Sequence, residues 1–178
     1  MSEAAHADDV WTFGYGSLVW RPAMPYEERV DGYIEGWARR FWQGSYDHRG
    51  VPGAPGRVVT LVRSPGERVY GAAYRLCRTV ADEVLAALDH REKGGYERYA
   101  ERFTGLDERE IDDVLVYVAP EGNKHWLGPA SVEEIAAQVS TAVGPSGANV
   151  EYVVELAKAM RAMGVDDAHL FAVEAALG

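Results

Sequence analysis

Two changes of period divide this chain and limit what it can fold into. From Val10 to about Val118 the apolar residues are largely β-branched or aromatic and fall in short runs between glycine, proline and charged turns. One helical interval interrupts that texture, and from Ser131 onward the apolar residues recur at helical spacing. Val10, Trp11, Thr12 and Phe13 read as a strand ending at Gly14, and 29–41 as another, with Val30, Tyr33, Ile34 and Trp37 as apolar members. A loop follows at 44–56, punctuated by Pro52 and Pro55. Segment 57–62 is a strand by composition, 64–67 (SPGE) a turn, and 68–76 the second arm of the hairpin that the turn implies. Over 79–89, Val80, Val84, Leu85 and Leu88 predict a helix with Thr79 as N-cap, stopping before Gly94 and Gly95. Strands return at 96–103 and 114–118, with the acidic 107–113 as a solvated turn between them. Ser131 and Glu134 fit a capping box opening a helix with Ile135, Val139 and Val143 on its apolar face. After a break at 144–147, two more helices are predicted over 148–163 and 166–177, with Val153, Leu156, Ala157 and Met160 facing inward in the first. The expected fold is α+β: a β-rich body built on a closed or strongly curved sheet, one inserted helix, and a helical C-terminal cover.

With 178 residues the chain favours one domain, spanning 10–178 behind a mobile tail at 1–9. The 18 basic and 28 acidic side chains leave a net charge of −10, which argues against a nucleic-acid partner, since phosphate binding needs a basic face. Cys77 stands alone, so neither an internal disulfide nor a Cys-rich zinc site is expected. The histidines are scattered without metal-ligand spacing, and no metal or cofactor is expected. The N-terminus is acidic and polar rather than signal-like, and no apolar run approaches the ~18 residues of a membrane span. These features predict a cytoplasmic protein with no membrane partner; nothing in them bears on oligomeric state.

Three segments offer chemistry. In 13–20 (FGYGSLVW) a strand runs into a loop whose two glycines permit close backbone approach, so its N–H groups can line an anion or oxyanion site. A plain glycine turn between strands is the other reading of that segment. In 88–96 (LDHREKGGY) a helix ends among charges. Arg91 and Lys93 suit a helix C-terminus, but Glu92 does not, and a locally inconsistent acid is a candidate for function. Segment 39–57 carries Arg39, Arg40, Arg49 and Arg57 against Asp47 alone, a local charge of +3. It fits a site for a small acidic ligand, or ion pairing with the acidic remainder. Cys77 reads as a small core residue. Ser17 lacks the context of a hydrolase nucleophile. Asn149 and Tyr152 lie one helical turn apart, able either to pack and cap or to contact a ligand.

Taken together these segments resemble the ChaC-type γ-glutamylcyclotransferases, the glutathione-specific branch. The matching residues are 13–20, 39–61 (RRFWQGSYDHRGVPGAPGRVVTL), 70–76 (YGAAYRL), 88–96, 126–130 (WLGPA) and 144–153 (GPSGANVEYV). The resemblance implies a small mixed β-barrel with flanking helices. It also implies conversion of glutathione to 5-oxoproline and cysteinylglycine without a cofactor. It carries the γ-glutamyl cradle onto Gly14, Tyr15, Gly16, Ser17, Leu18 and Val19, and the acid/base role onto Glu92. Arg39, Arg40, Tyr96 and Tyr152 are expected as further substrate-binding residues. Other γ-glutamyl amines as substrates, or a non-catalytic binder of small acidic ligands, are the alternatives.

Overall fold

The computed structural model describes residues 9–22, 24–77, 79–93 and 96–178; the side chains at 88, 89 and 91–93 lie outside it. Its strands are β1 (Trp11–Gly14), β2 (Tyr26–Ser45), β3 (Gly56–Leu76), β4 (Glu97–Gly105) and β5 (Glu110–Val118). They close into a barrel in the order β1-β3-β2-β4-β5. Neighbours are antiparallel except at the closure, where Thr12 of β1 meets Leu115 of β5 in parallel. Helix α1 (Ala81–Lys93) links β3 to β4. Helices α2 (Val132–Thr141), α3 (Asn149–Met163) and α4 (Ala168–Ala176) follow, with a short hairpin of β6 (Val143–Gly144) and β7 (Gly147–Ala148) between the first two.

Alternation along the strands gives the barrel one apolar interior, filled by Trp11, Phe13, Ile34, Phe103, Val114 and Val116. A second core lies between the barrel wall and the helices. There Phe41 and Val59 meet Ile135, Val139, Leu156, Met160, Leu170 and Val173. Both capping groups and spacing explain α2: Ser131 Oγ accepts the Glu134 N–H while the Glu134 carboxylate accepts the Ser131 N–H.

Segments 57–62 and 68–76 do not form a hairpin with each other. Both pair with β2, Leu61 opposite Arg39 and Val69 opposite Ile34, and β3 runs through 64–67 as a bulge against Gly36. Pro65 has no N–H for the ladder and Gly66 sits at φ +86°, so this signal turns four residues out of register without reversing the chain. The reversal comes instead at the glycine- and proline-rich loop 46–55. Val143 leaves the apolar face of α2: Ala142 is already extended (ψ 135°), and Val143 in β6 is 59% exposed. The acidic turn shortens to 106–109, since β5 begins at Glu110 and Asp112 pairs with Arg102 across the hairpin at 2.8 Å.

His169, on α4, joins that helix to β2 by accepting the Phe41 N–H on Nε2 at 3.1 Å. Burial, then the Arg40 charge, pushes its pKa down to about 4 from 6.5. The unfolded chain therefore takes up this proton first as pH falls. Stability contributed above pH 6.5 is expected to decline progressively toward pH 4. His169→Gln, which retains an acceptor but does not titrate, is expected to flatten that part of the profile. Urea midpoints measured across this window for both proteins check it.

Candidate active site

At Gly14 the chain leaves the barrel rim, passes Tyr15 and Gly16, and makes one 3-10 turn over Ser17–Val19. The path is tight. A Cβ at Gly14 would stand 2.7 Å from Leu18 Cβ, and one at Gly16 2.7 Å from the Tyr152 hydroxyl. The carbonyls of this loop are held from outside. Arg39 Nε donates to Tyr15 O at 3.0 Å, Tyr74 Oη to Leu18 O at 2.5 Å, and Arg29 to Val19 O at 2.7 Å. Burial pushes the Tyr74 hydroxyl up to about 12, so it remains a donor. Tyr15 in turn donates its hydroxyl to Tyr117 O at 2.6 Å.

The N–H groups are arranged differently. Those of Val19, Trp20 and Arg21 close back on Gly16 O and Ser17 O. Among the described residues, those of Gly16, Ser17 and Leu18 have no acceptor, as the first donors of any helical turn lack one within it. This stretch lines a cavity of about 570 Å³, within the range of small-molecule sites. Tyr152 reaches the same cavity from α3. Its hydroxyl accepts the Val59 N–H at 3.2 Å, and burial pushes its pKa up to about 12. The phenol therefore keeps its proton at neutral pH, and that proton has no acceptor among the described residues.

Arg21, Arg49 and Lys124 bring three cationic side chains to the lining, against Asp47. In a chain of net charge −10 this wall suits an acidic ligand. No cluster of three or more metal-ligating side chains occurs among the described residues.

Of the residues expected here, Gly14, Tyr15, Gly16, Ser17, Leu18, Tyr96 and Tyr152 line the cavity together. Val19 does not; it is buried in the core beside Phe41 and Ile135. Arg39 and Arg40 do not either. Neighbours on a strand alternate faces, and here Arg39 is buried while Arg40 is partly exposed. The Arg39 side chain is 1% exposed and commits all three nitrogens: Nε to Tyr15 O, one terminal nitrogen to Asp167 Oδ2 at 2.6 Å, the other to Tyr70 O. Arg40 lies over the Trp42 ring and donates to Arg39 O. Arg57 is likewise structural, donating to Gln138 and to Phe41 O. Asn149 clamps the Arg57 backbone through both its N–H and its carbonyl. Glu92 falls in the last turn of α1, but its side chain lies outside the described residues. Arg21, Lys124 and the Gln43–Asn123 amide pair were not anticipated. Arg21 follows the glycine loop directly and was findable; the 119–125 segment reaches the site only through folding.

A family model described as ChaC-like protein matches residues 10–178. This chain belongs to the ChaC-like family. It is 44% identical to the glutathione-specific γ-glutamylcyclotransferase 1 of Danio rerio, covering 97% of this chain and 91% of that one. The Homo sapiens protein of the same name is 41% identical over 95% of this chain and 78% of its own length. A solved yeast γ-glutamyl cyclotransferase specific to glutathione superposes with a TM-score of 0.85 at 28% identity, covering 95% of each chain. The ChaC-like chain thus shares the mixed barrel and helical cover of that structure along nearly its whole length.

Proposed function

We propose that this protein is a glutathione-specific γ-glutamylcyclotransferase, converting glutathione to 5-oxoproline and cysteinylglycine. One observation carries the proposal: loop 14–18 has its carbonyls held and lines a cavity of substrate size, with three N–H groups that have no acceptor among the described residues, in a chain 44% identical to a relative of that name. Glutathione brings its own nucleophile. Its α-amino nitrogen attacks the γ-carbonyl carbon, a C–N bond closes the five-membered lactam, and the bond to the cysteinyl nitrogen breaks. The reaction balances without an external nucleophile, redox partner or Lewis acid, so the proposal calls for no cofactor.

The protein's tasks are then three. It must fold the substrate so that nitrogen meets carbonyl carbon, an orientation worth up to ~7–11 kcal/mol. It must take a proton from the ammonium group and return one to the departing nitrogen. Glu92 is proposed for this, four residues before Tyr96, which lines the cavity. It must stabilise the tetrahedral oxyanion, for which the Gly16, Ser17 and Leu18 N–H groups and the Tyr152 hydroxyl are the available donors, each worth about 2.7–4 kcal/mol. Glutathione chemistry and the lone Cys77 suit a reducing compartment, and the cytoplasm is the proposed location. No helix among the described residues is long and apolar enough to cross a membrane.

Purified protein incubated with glutathione is expected to release 5-oxoproline and cysteinylglycine in equal amounts. Absence of both above a heat-inactivated control rejects the proposal. Release from γ-glutamyl amino acids at the same efficiency would remove the glutathione specificity. Tyr152→Phe keeps the ring and deletes the donor together with the acceptor of the Val59 N–H; kcat is expected to fall about 10²- to 10³-fold with KM little changed, and a lower urea midpoint reads the lost Val59 bond separately. A residue that only packs in the core would leave kcat in place.

A further inference from the structure

We infer that Arg49 is the specificity-determining residue that binds the glycyl carboxylate of the substrate. The inference rests on the proposed glutathione activity and adds which end of the molecule meets which side chain.

Arg49 differs from the other arginines of its segment. It lines the cavity, and its side chain is only 4% exposed. Its backbone is fixed: the N–H donates to Ser45 Oγ at 2.9 Å, and its carbonyl packs against Gly56 so closely that a Cβ there would stand at 2.4 Å. Its guanidinium is nearly uncommitted. One terminal nitrogen donates to Ala148 O at 3.0 Å, and the nearest carboxylate, Glu151, stands at 3.7 Å, beyond hydrogen-bond reach. Nε and the second terminal nitrogen have no partner among the described residues. Arg39, equally buried, has all three nitrogens bonded.

A guanidinium so enclosed, with one hydrogen bond out of five donors and its open edge on the cavity, is completed by an anion there. Glu151 does not discharge the site, because it is shared: its other oxygen lies 3.7 Å from Arg21, whose side chain is 61% exposed. Two cations around one carboxylate leave a single positive charge, which one substrate carboxylate neutralises. The planar fork fits such a group in bidentate geometry.

Position selects the end of the substrate. Tyr152 neighbours both the glycine loop and Arg49. Its hydroxyl is at Gly16, and the Arg49 guanidinium carbon lies 5.9 Å from the centre of its ring. With the γ-glutamyl group on the open N–H row, the guanidinium lies one tyrosine side chain farther along the cavity. There it meets the far end of the tripeptide. A γ-glutamyl compound lacking that carboxylate leaves the guanidinium with only its share of Glu151, and a site so built discriminates against it.

The test is a cycle of two substrates and three proteins. Glutathione and its glycine monoethyl ester are compared by kcat/KM with the wild type, Arg49→Gln and Arg49→Lys. The wild type is expected to prefer glutathione by about 10- to 100-fold, the range for a hydrogen-bonded charge. In Arg49→Gln that preference should collapse to less than threefold, and in Arg49→Lys, which keeps charge but not the fork, it should be intermediate. Because the readout is a ratio within one protein, a variant that folds poorly lowers both rates and leaves the ratio informative. A wild type indifferent to esterification, or an Arg49→Gln that keeps the full preference, would overturn the inference. A wild type that turns over neither substrate would instead reject the proposed activity.

Discussion

Replacing Glu92 by glutamine is expected to lower turnover at least ~10²-fold, the low end of the range for a general acid/base group. The amide matches the carboxylate in size and cannot accept a proton, so the change tests proton transfer and little else. Only the free amine of the γ-glutamyl group can attack, and the departing nitrogen must be protonated. One carboxylate serves both steps in turn. Binding should survive, so glutathione titrated calorimetrically into Glu92→Gln is expected to give heats and a Kd close to the wild-type KM if dissociation outpaces chemistry. The residual rate of Glu92→Gln should still climb with pH, because the substrate ammonium then loses its proton to solvent instead of to the carboxylate. Wild-type kcat in this variant would remove Glu92 from the mechanism.

The second large effect belongs to Asp167→Ala, a change on a residue that does not line the cavity. One carboxylate oxygen is the counterion of the Arg39 guanidinium at 2.6 Å, and the other caps α4 by accepting the Leu170 N–H at 3.0 Å. Deleting one partner of a buried ion pair strands the other charge and costs ~3–5 kcal/mol, with about 1 kcal/mol more for the lost cap. Urea unfolding should show a correspondingly lower midpoint at an unchanged slope. The site should loosen with it, because Arg39 also holds the Tyr15 carbonyl and hence the turn that presents the Gly16–Leu18 N–H groups. Asp167→Asn keeps an acceptor for the cap and loses the charge, so it is expected to fall between. A loss below ~1 kcal/mol for the alanine variant would mean that Arg39 keeps its place through Tyr15 O and Tyr70 O alone.

Local rules carried far at particular places in this chain. The Ser131–Glu134 capping box, the strand running to Gly14, the inward residues of α3 and the helix ending ahead of Gly94 are each decided within a turn or two of backbone. They failed at 64–67. A proline–glycine pair marks where the ladder is interrupted, but whether the chain reverses there depends on which strand lies alongside. Here β2 is long enough to pair with both halves of β3. Arg39 lies off the cavity wall for a related reason. A cluster of arginines has a formal charge that can be counted, whereas its partners are fixed by chain segments far away: Asp167 lies 128 positions on.

The amino-acid order by itself therefore determined the β-then-helix architecture, the glycine turn at the barrel rim and the kinship to the ChaC-like proteins. All of these follow from short-range periodicity, backbone stereochemistry or a long linear match. Only the tertiary structure decided which charges are spent inside the protein and which face the cavity. Arg39 and Arg57 are used up by contacts across the fold, while Arg49 is buried with its fork open. Burial and pairing are properties of neighbours in space, and a linear pattern does not contain them.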